Sequence, residues 1–134
     1  MNLPHWTPPR TGFTAPFWDA IDQDRLELPQ CSVCGAWQWY PDDAGTCCSG
    51  GVLKWVGVSG QGTVHTFTRV RRPFLPDGAA DIPFTVAFVE LDDAPEVRFV
   101  ANVADDDVTI GSRVGIEFVD LGDRRHPVFR KLAA

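Results

Sequence analysis

No uninterrupted apolar run in the chain approaches the ~20 residues that a membrane-spanning helix requires. The first residues read Met1-Asn2-Leu3-Pro4-His5-Trp6, without the basic start and apolar run of a secretory leader. These absences predict a cytoplasmic protein with no membrane association. Structural disulfides are rare in that compartment, so cysteines there are better read as metal ligands. Positive charge is also short, with a formal net charge of -6. Proteins that hold nucleic acid by its phosphates draw most of their affinity from a basic surface, so the charge balance disfavours that class. It does not remove the reading altogether, because OB barrels and zinc ribbons both serve single-strand binding. No Walker loop or dinucleotide fingerprint is present, and the glycines between residues 57 and 62 separate strands rather than open a helix. The histidines show no pairing with a serine or cysteine nucleophile, so no catalytic residue is assigned. His65 reads as a half-buried packing residue on a strand, and His5 lies in a proline-punctuated arm. A stand-alone enzyme would have to use Cys48 or the Cys31/Cys34 thiols.

The 134 residues, 44% of them apolar, suffice for one ordinary domain or for a small barrel with a stapled appendage. Eleven prolines and twelve glycines indicate many short turns. Thr14-Ala15-Pro16-Phe17-Trp18-Asp19 reads as a helix start, with Thr14 as cap and Pro16 in the first turn, where its missing donor costs little. Phe17, Ile21 and Leu28 follow at roughly helical spacing, which predicts one short helix over 15–26. From residue 52 the period changes to two. Strands are expected at 52–58, 63–70, 84–91, 97–103 and, after Ile110-Gly111-Ser112, 114–118, with Val128-Phe129 as a short closing segment. Five short strands without intervening helices are too few for an immunoglobulin-like sandwich and fit a partly open barrel. The expected fold is mainly β: a five-stranded OB-fold barrel preceded by a short helix and a zinc-ribbon knuckle. The expected organisation is an arm and helix over 1–30, a rubredoxin-like ribbon over 31–51 and the barrel over 52–134.

All four cysteines fall within that middle segment. Cys31-Ser32-Val33-Cys34-Gly35 is a C-x-x-C-G turn, which aims two thiolates at one point. Cys47 follows after twelve residues, with Cys48 directly behind it. Paired cysteine knuckles at this separation are a tetrahedral zinc signature. Gly50 stands where a second C-x-x-C would place its last cysteine, so the fourth ligand would be Cys48. With Cys31, Cys34, Cys47 and Cys48 all bound, zinc would have no open position and would serve as a structural staple. A metal-free knuckle packed by Trp37, Trp39 and Tyr40, cysteines acting as small buried hydrophobes, and a thiol-exchange pair are the other readings open at this point.

The order of these elements carries a resemblance. A Pro16-Phe17-Trp18 helix leads into C-x-x-C-G, a second cysteine turn and a tryptophan strand. Ser59-Gly60-Gln61-Gly62-Thr63-Val64, Pro83-Phe84-Thr85-Val86-Ala87 and Ile110-Gly111-Ser112-Arg113-Val114 follow. From about Phe17 to Phe129 the chain resembles the acyl-CoA-associated OB-fold family with an N-terminal rubredoxin-like zinc ribbon. The resemblance implies a non-catalytic accessory subunit that docks on a thiolase-fold aldolase or acyltransferase in a hetero-oligomer and helps hold an acyl-CoA thioester. Some family members are fused to, or encoded with, hot-dog-fold hydratases. One branch serves bacterial steroid side-chain degradation, with a retro-aldolase partner. The family's second knuckle reads C-P-x-C, whereas this sequence has Cys47-Cys48-Ser49-Gly50.

Coenzyme A presents a diphosphate and a 3′-phosphate, which guanidinium forks match. Arg69-Val70-Arg71-Arg72 ends the second predicted strand, so Arg69, Arg71 and Arg72 are candidate contacts for coenzyme A or for an acidic partner. Phe74 and Leu75, apolar at the tip of the following loop, are candidate anchors for the partner surface. Arg124-Arg125-His126 forms a second basic turn with the same chemistry.

Overall fold

The computed structural model describes residues 8–41, 46–72, 82–121 and 124–133. Helix α1 (Ala15–Asp22) is followed by strands β1 (Leu26–Cys31), β2 (Leu53–Val58), β3 (Gln61–Val70), β4 (Phe84–Leu91), β5 (Arg98–Val103), β6 (Arg113–Leu121) and β7 (Arg124–Lys131). Strands β3-β4-β5-β7-β6 close into a barrel, and β1 pairs with β2 in a separate two-stranded ribbon, with an isolated bridge from Gln30 to Trp37 on its other side. The expected mainly-β architecture, with a short helix and a cysteine knuckle ahead of a five-stranded barrel, is the observed one.

Membership of the barrel differs from the expectation in two places. Residues 52–58, read as its first strand, instead pair antiparallel with Leu26–Cys31, from Leu26 opposite Val58 to Cys31 opposite Leu53. The closing segment expected at Val128-Phe129 is a full strand, antiparallel to β6 from Leu121 opposite Arg124 to Val114 opposite Lys131. It also meets β5 in parallel at Asn102 opposite Val128 and Val103 opposite Phe129, which completes the cylinder.

The helix is shorter than the expected 15–26. It ends at Asp22, and Asp24 adopts a left-handed backbone with φ 58°, which turns the chain into β1. Leu26 and Leu28 are both buried two residues apart, so they follow strand rather than helix periodicity. On the edge of β1 away from β2, the Pro29 carbonyl accepts from the Gln38 N–H at 2.9 Å, so the missing Pro29 N–H costs only one bond to a short irregular segment. Thr14 occupies the N-cap position, but its hydroxyl does not cap the helix amides. Its Oγ1 accepts from the Thr11 N–H at 2.9 Å, while Pro16 removes one of the amides a cap would serve.

Inside the barrel the period-two pattern places Val64, Ala87, Val89, Leu91, Phe99, Val114 and Phe129 on the buried face. Phe17, Trp18 and Ile21 of α1 and Leu26 and Leu28 of β1 join the same apolar cluster, so helix and ribbon share one core with the barrel. Where the chain passes from β2 into β3, Gly60 has φ 80°, and a β-carbon there would lie 2.2 Å from Ile116 Cγ2. Only glycine allows that approach. Among the described residues no helix is long and apolar enough to cross a membrane.

Candidate functional site

Cys31 ends β1 and is held there by its own N–H, which donates to the Ala36 carbonyl at 2.8 Å. The Gly35 N–H donates back to the Cys31 carbonyl at 2.9 Å, closing the turn that carries Cys34. Gly35 itself has φ 76°, a conformation that glycine adopts without strain. On the opposite side, the Ser32 N–H donates to the Val52 carbonyl and the Val52 N–H to Ser32 Oγ, both at 3.0 Å. These bonds bring the segment of Cys47 and Cys48 against the first knuckle. All four Sγ atoms lie within 4.8 Å of one another, with Cys34 and Cys47 3.3 Å apart and Cys47 and Cys48 3.8 Å apart.

A tetrahedral metal with bonds of about 2.3 Å to sulfur separates its ligands by about 3.8 Å, so the cluster has the dimensions of a four-thiolate site. None of the four is in a disulfide. The adjacent pair Cys47 and Cys48 therefore converges on the same point as the C-x-x-C turn, although Gly50 replaces the usual last cysteine. The cluster could chelate a metal ion through four sulfurs.

The thiols are electrostatically unlike one another. The Cys34 backbone, then the Thr46 hydroxyl and the Val33 backbone, stabilise the Cys31 thiolate and bring that thiol down to about 6. Cys48 is pushed up to about 12 by its contacts with Cys34 and then Cys47, and Cys47 is also raised, chiefly by Cys34. Clustered thiols cannot all ionise without a cation among them, because each thiolate disfavours the next.

Two residues of this site carry no signal of their own in the sequence. Thr46 Oγ1 accepts from the Cys48 N–H at 3.3 Å and lies 2.9 Å from the Cys48 carbonyl oxygen. A β-carbon on Gly51 would fall 2.3 Å from Thr46 Oγ1 and 3.2 Å from Cys31 Sγ, so the cluster closes only over a glycine. Glycine immediately before an alternating strand, in a cysteine turn, is the one hint the sequence offers.

The arginines are not equivalent. On β3, Arg69 is partly buried, and Nη1 donates to Thr85 Oγ1 at 3.0 Å and to the Asp106 carbonyl at 2.8 Å. It lines a polar cleft of about 320 Å³ with Thr85, Asp105 and Asp106. Arg71 and Arg72 follow β3 and are exposed. Phe74 and Leu75 lie outside the described residues. In the second basic turn, Arg124 stacks over Trp18, 5.2 Å from the ring centre, and donates to the Pro8 carbonyl at 2.7 Å. Arg125 binds Asp24 at 2.7 Å and Asp120 at 3.0 Å. His126 is buried beside Trp18 at 5.8 Å between ring centres. That turn thus serves internal packing. His65, expected to be half-buried, is exposed at an irregularity in the β3–β4 register.

A second cavity, of about 380 Å³, lies between α1, the knuckle and the barrel, lined by Trp18, Trp39, Tyr40, Phe99, Val100 and neighbouring prolines.

The profile of the family described as "ChsH2, C-terminal OB-fold domain" matches residues 55–119. A probable enoyl-CoA hydratase alpha subunit of Thermomonospora curvata is 31% identical over 120 residues, which are 85% of this chain and 36% of that protein. The chain thus spans about a third of the length of this curated relative. A solved structure described as "Ltp2-ChsH2(DUF35) aldolase" superposes with a TM-score of 0.78 at 27% identity, over 93% of this chain and 98% of the other. A DUF35-family protein of unknown function from Sulfolobus solfataricus shares the fold, with a TM-score of 0.59 at 15% identity over 88% and 82%.

Proposed function

We propose that the chain, whose residues 55–119 match the profile of the ChsH2 C-terminal OB-fold family, is an accessory subunit of an acyl-CoA-processing complex. It docks on a thiolase-like aldolase or acyltransferase, which makes or breaks the carbon–carbon bond. The observation that carries this reading is the superposition over 98% of a chain from the Ltp2–ChsH2 aldolase structure, which includes the knuckle as well as the barrel. ChsH2 is the component named beside Ltp2, and the family matched is that of ChsH2. The hydratase relative adds a second acyl-CoA enzyme to the context.

The four cysteines would hold zinc as a structural ion. Bound zinc supplies four bonds to sulfur and no open position, so it fixes the knuckle and takes no part in turnover. Arg71 and Arg72, exposed at the end of β3, would meet the phosphates of coenzyme A. Arg69, already bonded to Thr85 and Asp106, would shape the cleft next to them. Phe74 and Leu75 remain the proposed apolar anchors for the partner. The steroid side-chain branch is the proposed setting, with the retro-aldol step done by the partner.

Co-expression with a thiolase-like aldolase tests the proposal. The two should co-elute, and retro-aldol cleavage of an acyl-CoA should fall sharply when this chain is left out. Separate elution together with full activity of the partner alone would overturn it.

A further inference from the structure

The four thiols differ in accessibility. Cys31 is 3% exposed and Cys48 is half-buried, whereas Cys34 and Cys47 are both open to solvent. Those two are also 3.3 Å apart, nearer to each other than the adjacent pair Cys47 and Cys48 at 3.8 Å. We propose that Cys34 and Cys47 form a reversible oxidation site, at which a peroxide converts the two thiolates into a disulfide and removes two of the four ligands from the metal.

The chemistry balances with a peroxide as the single oxidant. One thiolate attacks a peroxide oxygen, the O–O bond breaks, and a sulfenic acid and a hydroxide form. The second thiolate attacks the sulfenic sulfur and expels its oxygen as a second hydroxide. Two protons from water or buffer convert the hydroxides to water, so two electrons pass from the sulfurs to hydrogen peroxide and two waters result. Access selects the pair, since peroxide reaches Cys34 and Cys47 without displacing backbone. Cys31 is tied into β1 and lies under Gly51.

The fold gives the event a defined reach. Twelve residues separate the two cysteines, among them Trp37, Trp39 and Tyr40. Trp39 packs 5.4 Å from Phe17 and 5.2 Å from Phe99, ring centre to ring centre, so this loop carries part of the contact between knuckle and barrel. The new disulfide keeps the loop closed while the metal leaves. The knuckle therefore loosens without loss of the barrel, and tryptophan emission reports it.

This inference uses the thiol geometry, and metal release is its consequence where the metal assignment of the proposed function holds. The test treats the full chain, both zinc-loaded and after chelation, with one to a few equivalents of hydrogen peroxide. Non-reducing peptide mass mapping reads the linkages, and a chromogenic chelator reads free zinc. Cys34–Cys47 should be the main linkage in both samples, with about one zinc released per disulfide and recovery on adding dithiothreitol and zinc. Cys34→Ser and Cys47→Ser should each slow zinc release about tenfold or more. Because each variant also removes a candidate metal ligand, brief alkylation of the unmodified chain provides a second reading, with Cys34 and Cys47 labelled before Cys31. A main linkage between Cys31 and Cys34 or between Cys47 and Cys48, or over-oxidation without any disulfide, overturns the proposal. A chain that binds no zinc yet forms the Cys34–Cys47 disulfide would keep this inference and remove only the metal assignment.

Discussion

Trp39 of the knuckle lies against Phe99 of the barrel, with ring centres 5.2 Å apart and planes inclined by 30°. Phe99 in turn meets Phe129 edge-on at 6.0 Å, so an aromatic path runs from the cysteine loop to the strand that closes the cylinder. Trp39 thereby packs the knuckle against the core that helix and barrel share.

Trp39→Ala should lower stability by about 2 kcal/mol, less than a fully buried tryptophan because Trp39 is half-exposed. Urea unfolding, followed by the remaining tryptophans and by far-ultraviolet circular dichroism, checks this. The wild-type curves from the two probes should coincide. The variant's should separate if ribbon and barrel are uncoupled by the change.

Gly51→Ala should impair the cysteine site far more than an alanine elsewhere in the turn. Its β-carbon would force Thr46 and Cys31 apart. Zinc affinity in a competition assay should fall tenfold or more, roughly 1.4 kcal/mol. Gly50→Ala, where nothing lies within 4 Å but φ is 76°, should act only through backbone strain and cost less affinity. Equal effects of the two would contradict the packing argument.

Removing the metal should lower the melting temperature in a way that added zinc restores. At a free zinc concentration 100 times its dissociation constant, the expected stabilisation is about 2.7 kcal/mol. Differential scanning calorimetry with and without a chelator gives the measurement. No change on chelation would count against zinc as a staple.

The Arg113 guanidinium binds both carboxylate oxygens of Asp92, at 2.8 and 2.6 Å, and holds that carboxyl below its ordinary 3.8. A lowered carboxyl stabilises the fold at pH values above the unfolded pKa. The contribution is lost as pH falls below 3.8 and passes the folded value. Asp92→Asn should therefore be less stable than the parent at neutral pH, and the gap should close in acid. Both partners are over 40% exposed, so the effect is small and should shrink further in 0.5 M salt. A gap that widens on acidification would reverse this reading.

Arg71→Ala with Arg72→Ala should weaken coenzyme A binding to the assembled complex about tenfold and flatten its salt dependence. Arg69→Ala should instead cost stability, because it breaks the bonds to Thr85 and the Asp106 carbonyl. Isothermal titration and thermal melts separate the two effects. Unchanged affinity in the double variant would move the coenzyme site elsewhere.

Much of the fold was legible in the chain. β-Branched and aromatic content in 63–70, an almost continuous apolar run in 84–91 and alternation in 97–103 gave three barrel strands, because each must present an apolar face to fill the cylinder. Spacing also brought out Cys31 and Cys34 as one knuckle and Cys47 and Cys48 as the other half of the cluster. Leu26–Cys31 was misread because leucines at 26 and 28 follow a helix whose own apolar residues continue toward them. The backbone turn at Asp24, not the pattern, divides the two. Arg124–Lys131 was underestimated since Arg125 and Arg130 bind acidic neighbours on the outer face and hide the alternation.

What the residues determine alone is local: period, turn chemistry and the number of thiols within reach of one metal. Which strand pairs with which was settled only in three dimensions, because residues 53–58 alternate equally well against β1 or against a barrel neighbour. Likewise the sequence shows six arginines and histidines in two basic turns, and cannot say which are spent on internal partners. That depends on contacts between segments far apart in the chain, such as Arg125 with Asp24 or Trp39 with Phe99, which local pattern does not encode.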